Sequence, residues 1–180
     1  MMEKKADPHK LNWYIAYVKS NQERKAAEVL TRMGQEYYLP IQREIHRWSD
    51  RNRIVERLVI PRLIFIRCRE CDRIPLKEKV WQIYGFMSNG GPYNPSIVRD
   101  VEMETFRAMV EHSGRNVSMS SKPLAVGDHV RITSGPLEGY ECELVSIDGT
   151  RCLAVRLGVL GTATMDLALD TVEKVEPKAL

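Results

Sequence analysis

The sequence predicts an α+β protein in two parts: an α/β sandwich on an antiparallel sheet, then a linker, then a small antiparallel β-barrel. Three observations carry this. Up to residue 111, short β-branched and aromatic runs alternate with helical patterns, without the even strand–helix rhythm of a parallel sheet. From Val126 to Val175 the pattern changes to short alternating strands, punctuated by Gly127-Asp128, Gly135-Pro136, Gly139, Asp148-Gly149, Gly158 and Gly161. That density of turn signals suits a barrel. Charge changes sign at the same place. Residues 1–123 carry 22 basic and 15 acidic side chains, a net of +7, whereas residues 124–176 carry 4 and 9, a net of −5. A front part that favours phosphate and a back part that repels it imply different partners.

Trp13 to Val18 is short, aromatic and β-branched, as a buried strand is. Ser20 and Glu23 have the spacing of a capping box, and Ala26, Ala27, Val29, Leu30 and Met33 follow at helical spacing. Gly34 stands where a left-handed residue would end that helix. Tyr37 to Ile41 resumes extended structure. Ile45 to Trp48 and Ile54 to Ile60 form two arms of a hairpin around Ser49-Asp50-Arg51-Asn52. Pro61 interrupts, because proline cannot donate to a strand ladder, and Leu63 to Cys68 begins the next strand. A short helix is expected near Leu76 to Trp81, and a last strand at Phe86 to Asn89. Asp100 caps a helix through Met103, Phe106, Met109 and Val110. His112 to Pro123 is serine-rich and without periodicity, as a flexible linker is. The boundaries are thus a tail over 1–11, a domain over 12–111, a linker over 112–123 and a barrel over 124–176.

Several classes of chemistry find no support. No run of about 18 apolar residues is present to span a membrane. The polar start of the chain is unlike a signal peptide, so a cytoplasmic location is expected. A monomer is expected as well. His9, His46, His112 and His129 are scattered, and no nucleophile elbow, phosphate loop or metal-ligand cluster appears, so neither an enzyme nor a metal or cofactor is expected. Cys68 and Cys71 make a lone C-x-x-C; Cys68 closes an apolar strand pattern and is read as a packed or half-exposed thiol, with zinc or redox chemistry as the alternative. With Asp148-Gly149 at the centre of a hairpin turn, Val145 faces Cys152 and Cys142 faces Val155. The two thiols then lie on opposite faces and form no disulfide.

Two stretches resemble one family. The run Trp13-Tyr14-Ile15-Ala16-Tyr17, its following helix and the strand from Pro61 to Ile66 are similar to the N-terminal domain of NusG proteins. Gly127-Asp128-His129-Val130-Arg131-Ile132, with Gly135-Pro136-Leu137-Glu138-Gly139, resembles a KOW motif, which implies an SH3-like barrel. The hairpin from Tyr38-Leu39-Pro40 through Trp48-Ser49-Asp50-Arg51 resembles specialised paralogues, RfaH and, more closely, the UpxY antiterminators of capsular polysaccharide operons. The family usually has a small residue and then tyrosine after the proline, where this chain has Arg62 and Leu63.

The resemblance implies a transcription elongation and antitermination factor that binds the clamp helices of RNA polymerase. A housekeeping NusG and a ribosome-associated RNA-binding KOW protein are the alternatives. The polymerase-binding positions it implies are Tyr17, Ile60, Leu63, Phe65 and Phe86. Non-template DNA contacts fall near Lys19, Lys79, Trp81 and Arg73. The Arg43-to-Arg73 segment, with nine arginines, is either a solvated face or part of that DNA contact. In the back domain, the loop through Val159 and Leu160 matches the one that meets Rho or a small-subunit ribosomal protein. It is read either as an exposed docking tip or as a buried strand end.

Overall fold

The computed structural model describes residues 9–47, 52–91, 94–112, 116–120, 124–167 and 172–175. Two compact units emerge, one from Met1–Leu39 and Ile60–Asp100, the other from Pro40–Val59 and Val101–Leu180.

The first unit is built on strands β1 (Leu11–Val18), β2 (Tyr37–Tyr38), β5 (Leu63–Arg69), β6 (Ile83–Phe86) and β7 (Ile97–Val98). Their order is β2-β5-β1-β6, and β7 also pairs with β1. Every pairing is antiparallel, with Tyr14 opposite Ile66 and Tyr17 opposite Leu63. Helices α1 (Glu23–Arg32) and α2 (Glu70–Lys79) cover one face of this sheet. Tyr14, Ala16, Val18, Ile64, Ile66 and Cys68 on that face form one core with Ala26 and Leu30 of α1 and Leu76 of α2. Trp13, Ile15, Leu63 and Phe65 alternate onto the other face and are also buried.

Helix α1 corrects the capping-box expectation. Its N-cap is Gln22, with no side-chain capping bond. Glu23, expected to reach back to Ser20, is buried, and its carboxylate accepts the backbone N–H of Arg62 at 3.0 Å. A tertiary donor has replaced the local one. Gly34 ends the helix at φ 65°, as its position foretold. Helix α2 starts at Glu70, before the expected Leu76, and takes Pro75 into its interior. The strand expected at Phe86–Asn89 lies earlier, at β6; beyond it Ser88 makes only an isolated bridge with Pro95.

In the second unit, β3 (Ile41–Arg47) and β4 (Asn52–Leu58) form the expected hairpin. They are paired in register from Ile41↔Leu58 to Arg47↔Asn52. Ser49, Asp50 and Arg51 of the expected turn lie outside the described residues, and Asn52 already belongs to β4. Helix α3 runs from Asp100 to His112 and buries Met103, Phe106, Met109 and Val110. Within the stretch read as a linker, Ser118–Ser120 is strand β8, paired with Thr162–Thr164 of β12 (Thr162–Asp166). Serine composition concealed an edge strand there. With β9 (Asp128–Ile132), β10 (Glu141–Ile147), β11 (Thr150–Arg156) and β13 (Val172–Lys174) it completes one antiparallel sheet in the order β13-β9-β10-β11-β12-β8. Buried side chains hold the unit's parts together. The Gln42 side-chain oxygen accepts the Val117 N–H at 3.0 Å, and the Thr105 hydroxyl donates to the Glu141 carbonyl at 3.2 Å.

The β10–β11 turn is the one the sequence dictated. Asp148 and Gly149 both take positive φ, 49° and 81°, as a type I′ turn requires, and Val145 stands opposite Cys152. Across β10 and β11, Arg156 grips Glu143 with two bonds of 2.7 and 2.8 Å. Burial works to raise the Glu143 carboxyl, but the Arg156 hydrogen bond and charge outweigh it and hold the group below its ordinary value.

Candidate functional site

The exposed chemistry of the first unit gathers where β1 ends and β6 begins. The Lys19 N–H donates to the Gln82 carbonyl at 2.9 Å, and the Val18 N–H to the Arg62 carbonyl at 2.8 Å. These bonds fix the segments after β1, before β5 and before β6 side by side. The Lys19 ammonium then lies 4.4 Å from the centroid of the Trp81 ring, a cation–π contact on an indole that is 59% exposed. Pairing of β1 with β6 slips between Tyr17 and Val18: Tyr17 faces Gly85 and Val18 faces Ile83. Tyr84 is the extra residue of this bulge, and a bulge re-aims its side chain. Tyr84 stays 45% exposed and stacks on Tyr17, with ring centroids 5.6 Å apart and planes inclined by 19°. Two couples, exposed Lys19 with exposed Trp81 and half-buried Tyr17 with exposed Tyr84, thus lie two residues apart along β1 and its extension.

The remaining expected residues fall in different places. Leu63 and Phe65 share the sheet face of Tyr17 but are buried, Phe65 completely. Ile60 is buried too. Phe86 packs on the opposite, helix-covered face, edge-on to Tyr14 at 6.4 Å. Arg73, expected at the DNA, is taken up inside the unit. Its side chain is 14% exposed, its guanidinium lies 5.7 Å from Tyr14 and 5.5 Å from Phe86, and Glu70 is 3.7 Å away. Lys79 is exposed in the last turn of α2. So the structure brings Lys19 and Trp81 together and sets Arg73 apart. Tyr84 went unnoticed in the sequence, because a bulge is a matter of pairing and leaves no mark in Ile83-Tyr84-Gly85-Phe86.

The buried Cys68 is a poorly reactive thiol. Burial, then the Asp72 charge, pushes the Cys68 thiol up to about 12, so it stays protonated and a poor nucleophile or metal ligand. Cys71 is exposed beside Asp72, and all four cysteines are free. In the second unit, Gly158–Leu160 is a single 3-10 turn between glycines of positive φ, 58° and 116°. Val159 stands 46% exposed at its tip, and Leu160 is half-buried.

The family profile described as transcription termination factor nusG matches residues 11–107, more than half of the chain, and the KOW motif matches residues 126–157. The chain belongs to the NusG family. Among solved structures, it is similar to one describing domain interaction in Thermotoga maritima NusG, at 22% identity, 94% of this chain, 100% of that chain and a TM-score of 0.47. It also matches an MjSpt4:Spt5 complex at 12% identity, over 91% and 99% of the two chains, with a TM-score of 0.29. No curated protein matches it. NusG-family proteins are transcription factors rather than enzymes, and membership gives this chain a general role in transcription elongation or termination. Among the described residues no helix is long and apolar enough to cross a membrane.

Proposed function

We propose that this NusG-family chain is an antitermination factor that binds the clamp helices of RNA polymerase and touches the exposed non-template DNA strand. The reading rests above all on the exposed aromatics where β1 ends and β6 begins. Trp81 and Tyr84 are both exposed within four residues of each other, and clustered exposed aromatics of this kind suit an interaction surface. Tyr17 and Tyr84 supply flat, amphipathic anchors for a helical partner, with buried Leu63 and Phe65 as their floor. Lys19, Lys79 and Trp81 combine charge with a π face, the pairing that suits an unpaired strand. The Val159–Leu160 tip offers a separate docking point for Rho or a small-subunit ribosomal protein. The net −5 of residues 124–176 speaks against direct RNA binding by the barrel.

Tyr17→Ala is expected to weaken co-purification with polymerase by about tenfold to a hundredfold, the loss of one aromatic anchor. Circular dichroism of the variant should match the parent. Wild-type affinity in a folded Tyr17→Ala protein would remove the proposed surface. The hairpin of Tyr38-Leu39-Pro40 and Trp48 supports service to selected long operons, such as those for polysaccharide synthesis. Nascent transcripts from a deletion strain should then change only in a few long operons; a genome-wide change would mark a housekeeping factor instead.

A further inference from the structure

We propose that Arg62 is a phosphate-contacting residue that extends the Lys19–Trp81 face along a single strand. Arg62 holds φ at 64°, in the left-handed region where a residue with a Cβ is strained and glycine is not. The strain is imposed from two sides. Buried Glu23 accepts the Arg62 N–H at 3.0 Å, and the Arg62 carbonyl accepts the Val18 N–H at 2.8 Å. Strain held by surrounding structure points toward a use for the side chain that causes it.

Arg62 is exposed and has no ion pair among the described residues. The arginines that follow it behave differently: Arg67 meets Glu36 and Asp100, Arg69 meets Asp72, and Arg73 meets Glu70. Position supplies the rest. Arg62 lies across from Val18, one residue from Lys19, at the end of the sheet that carries the exposed indole. A base stacked on Trp81 therefore brings its neighbouring phosphates toward Lys19 and Arg62. Arginine suits that task, since its planar fork meets phosphate oxygens with two donors.

This inference rests on the DNA reading of the same face, and the experiment separates the two. Binding of a labelled oligodeoxythymidylate to the full chain is measured by anisotropy over a range of salt, for the parent, Arg62→Gly, Arg62→Lys and Trp81→Ala. Glycine removes the side chain and relieves the positive φ, so the thermal midpoint of Arg62→Gly should not fall. Its affinity at low salt should drop by about threefold to tenfold, and its salt slope should shrink by about 0.7, the release of one phosphate's counterions. Arg62→Lys keeps the strain and the charge and should restore the slope. Trp81→Ala should weaken binding by about tenfold with the slope unchanged. A parental affinity and slope in Arg62→Gly, with Trp81→Ala still weakened, overturns the role of Arg62 and leaves the DNA face standing. Loss of affinity accompanied by a lowered midpoint overturns it as well, in favour of a structural role. If the parent does not bind the oligonucleotide, both readings fall together.

Discussion

Phe65→Ala should lower the stability of the first unit by about 3–5 kcal/mol, seen as a fall in the denaturant midpoint. Phe65 is fully buried at the centre of β5, opposite Ile15, and its ring lies 6.4 Å from that of Tyr38. Truncation removes the transfer free energy of the ring and leaves a cavity that β1 and β2 are too well paired to close. A cost under about 1 kcal/mol would mean that the site collapses freely and that the face is softer than its burial implies. The expectation also bears on the polymerase surface. Weakened binding by Phe65→Ala would report an unfolded sheet, so Tyr17, half-buried and stacked on Tyr84, is the residue whose loss can be read as lost contact.

Gly127→Ala should destabilise the barrel by about 1–3 kcal/mol or more, although it adds one methyl group. A Cβ on Gly127 would run into the Leu144 carbonyl oxygen and crowd the Val145 side chain. Both obstacles belong to strand β10, which is paired to β9 and β11 and has no room to retreat. The Gly127 N–H also points at Glu143, which already holds Arg156, so a shifted backbone would disturb that pair. Chemical denaturation of the full chain, followed by far-ultraviolet circular dichroism, checks this. A midpoint equal to the parent's would show that the chain can back away from β10 at Gly127, and the close approach would then not explain this glycine.

Local rules were legible wherever a residue had one conformational answer. Asp148-Gly149 set the β10–β11 register to the residue, Pro61 set the start of β5, and Gly34 set the end of α1. Periodicity identified the buried side of α3. The failures come from tertiary partners that no local window contains. Glu23 has the spacing of a capping residue, but Arg62, 39 positions away, takes its carboxylate. Ser118–Ser120 has no apolar alternation, but β12 offers it an open edge. The helix expected near Leu76 to Trp81 begins instead at Glu70 and carries Pro75 inside it. The site shows the same division. Lys19 and Trp81 were both singled out in the sequence, while their contact follows from the bond between Lys19 and Gln82. Arg73 has the same charge as Lys19 and the opposite fate, because α2 turns it inward over Tyr14 and Phe86.

The bond between Gln42 and Val117 spans 75 positions of sequence. Strands β1, β2, β5, β6 and β7 all precede residue 99, so the sheet of the first unit can close before the partner of Gln42 exists. On a ribosome adding about 5–20 residues per second, Val117 follows Gln42 by about 4–15 s. A hairpin of this size forms in microseconds. During synthesis the β3–β4 hairpin therefore waits for seconds before Val117 reaches it, and anything that binds its edges in that interval competes with the chain's own completion.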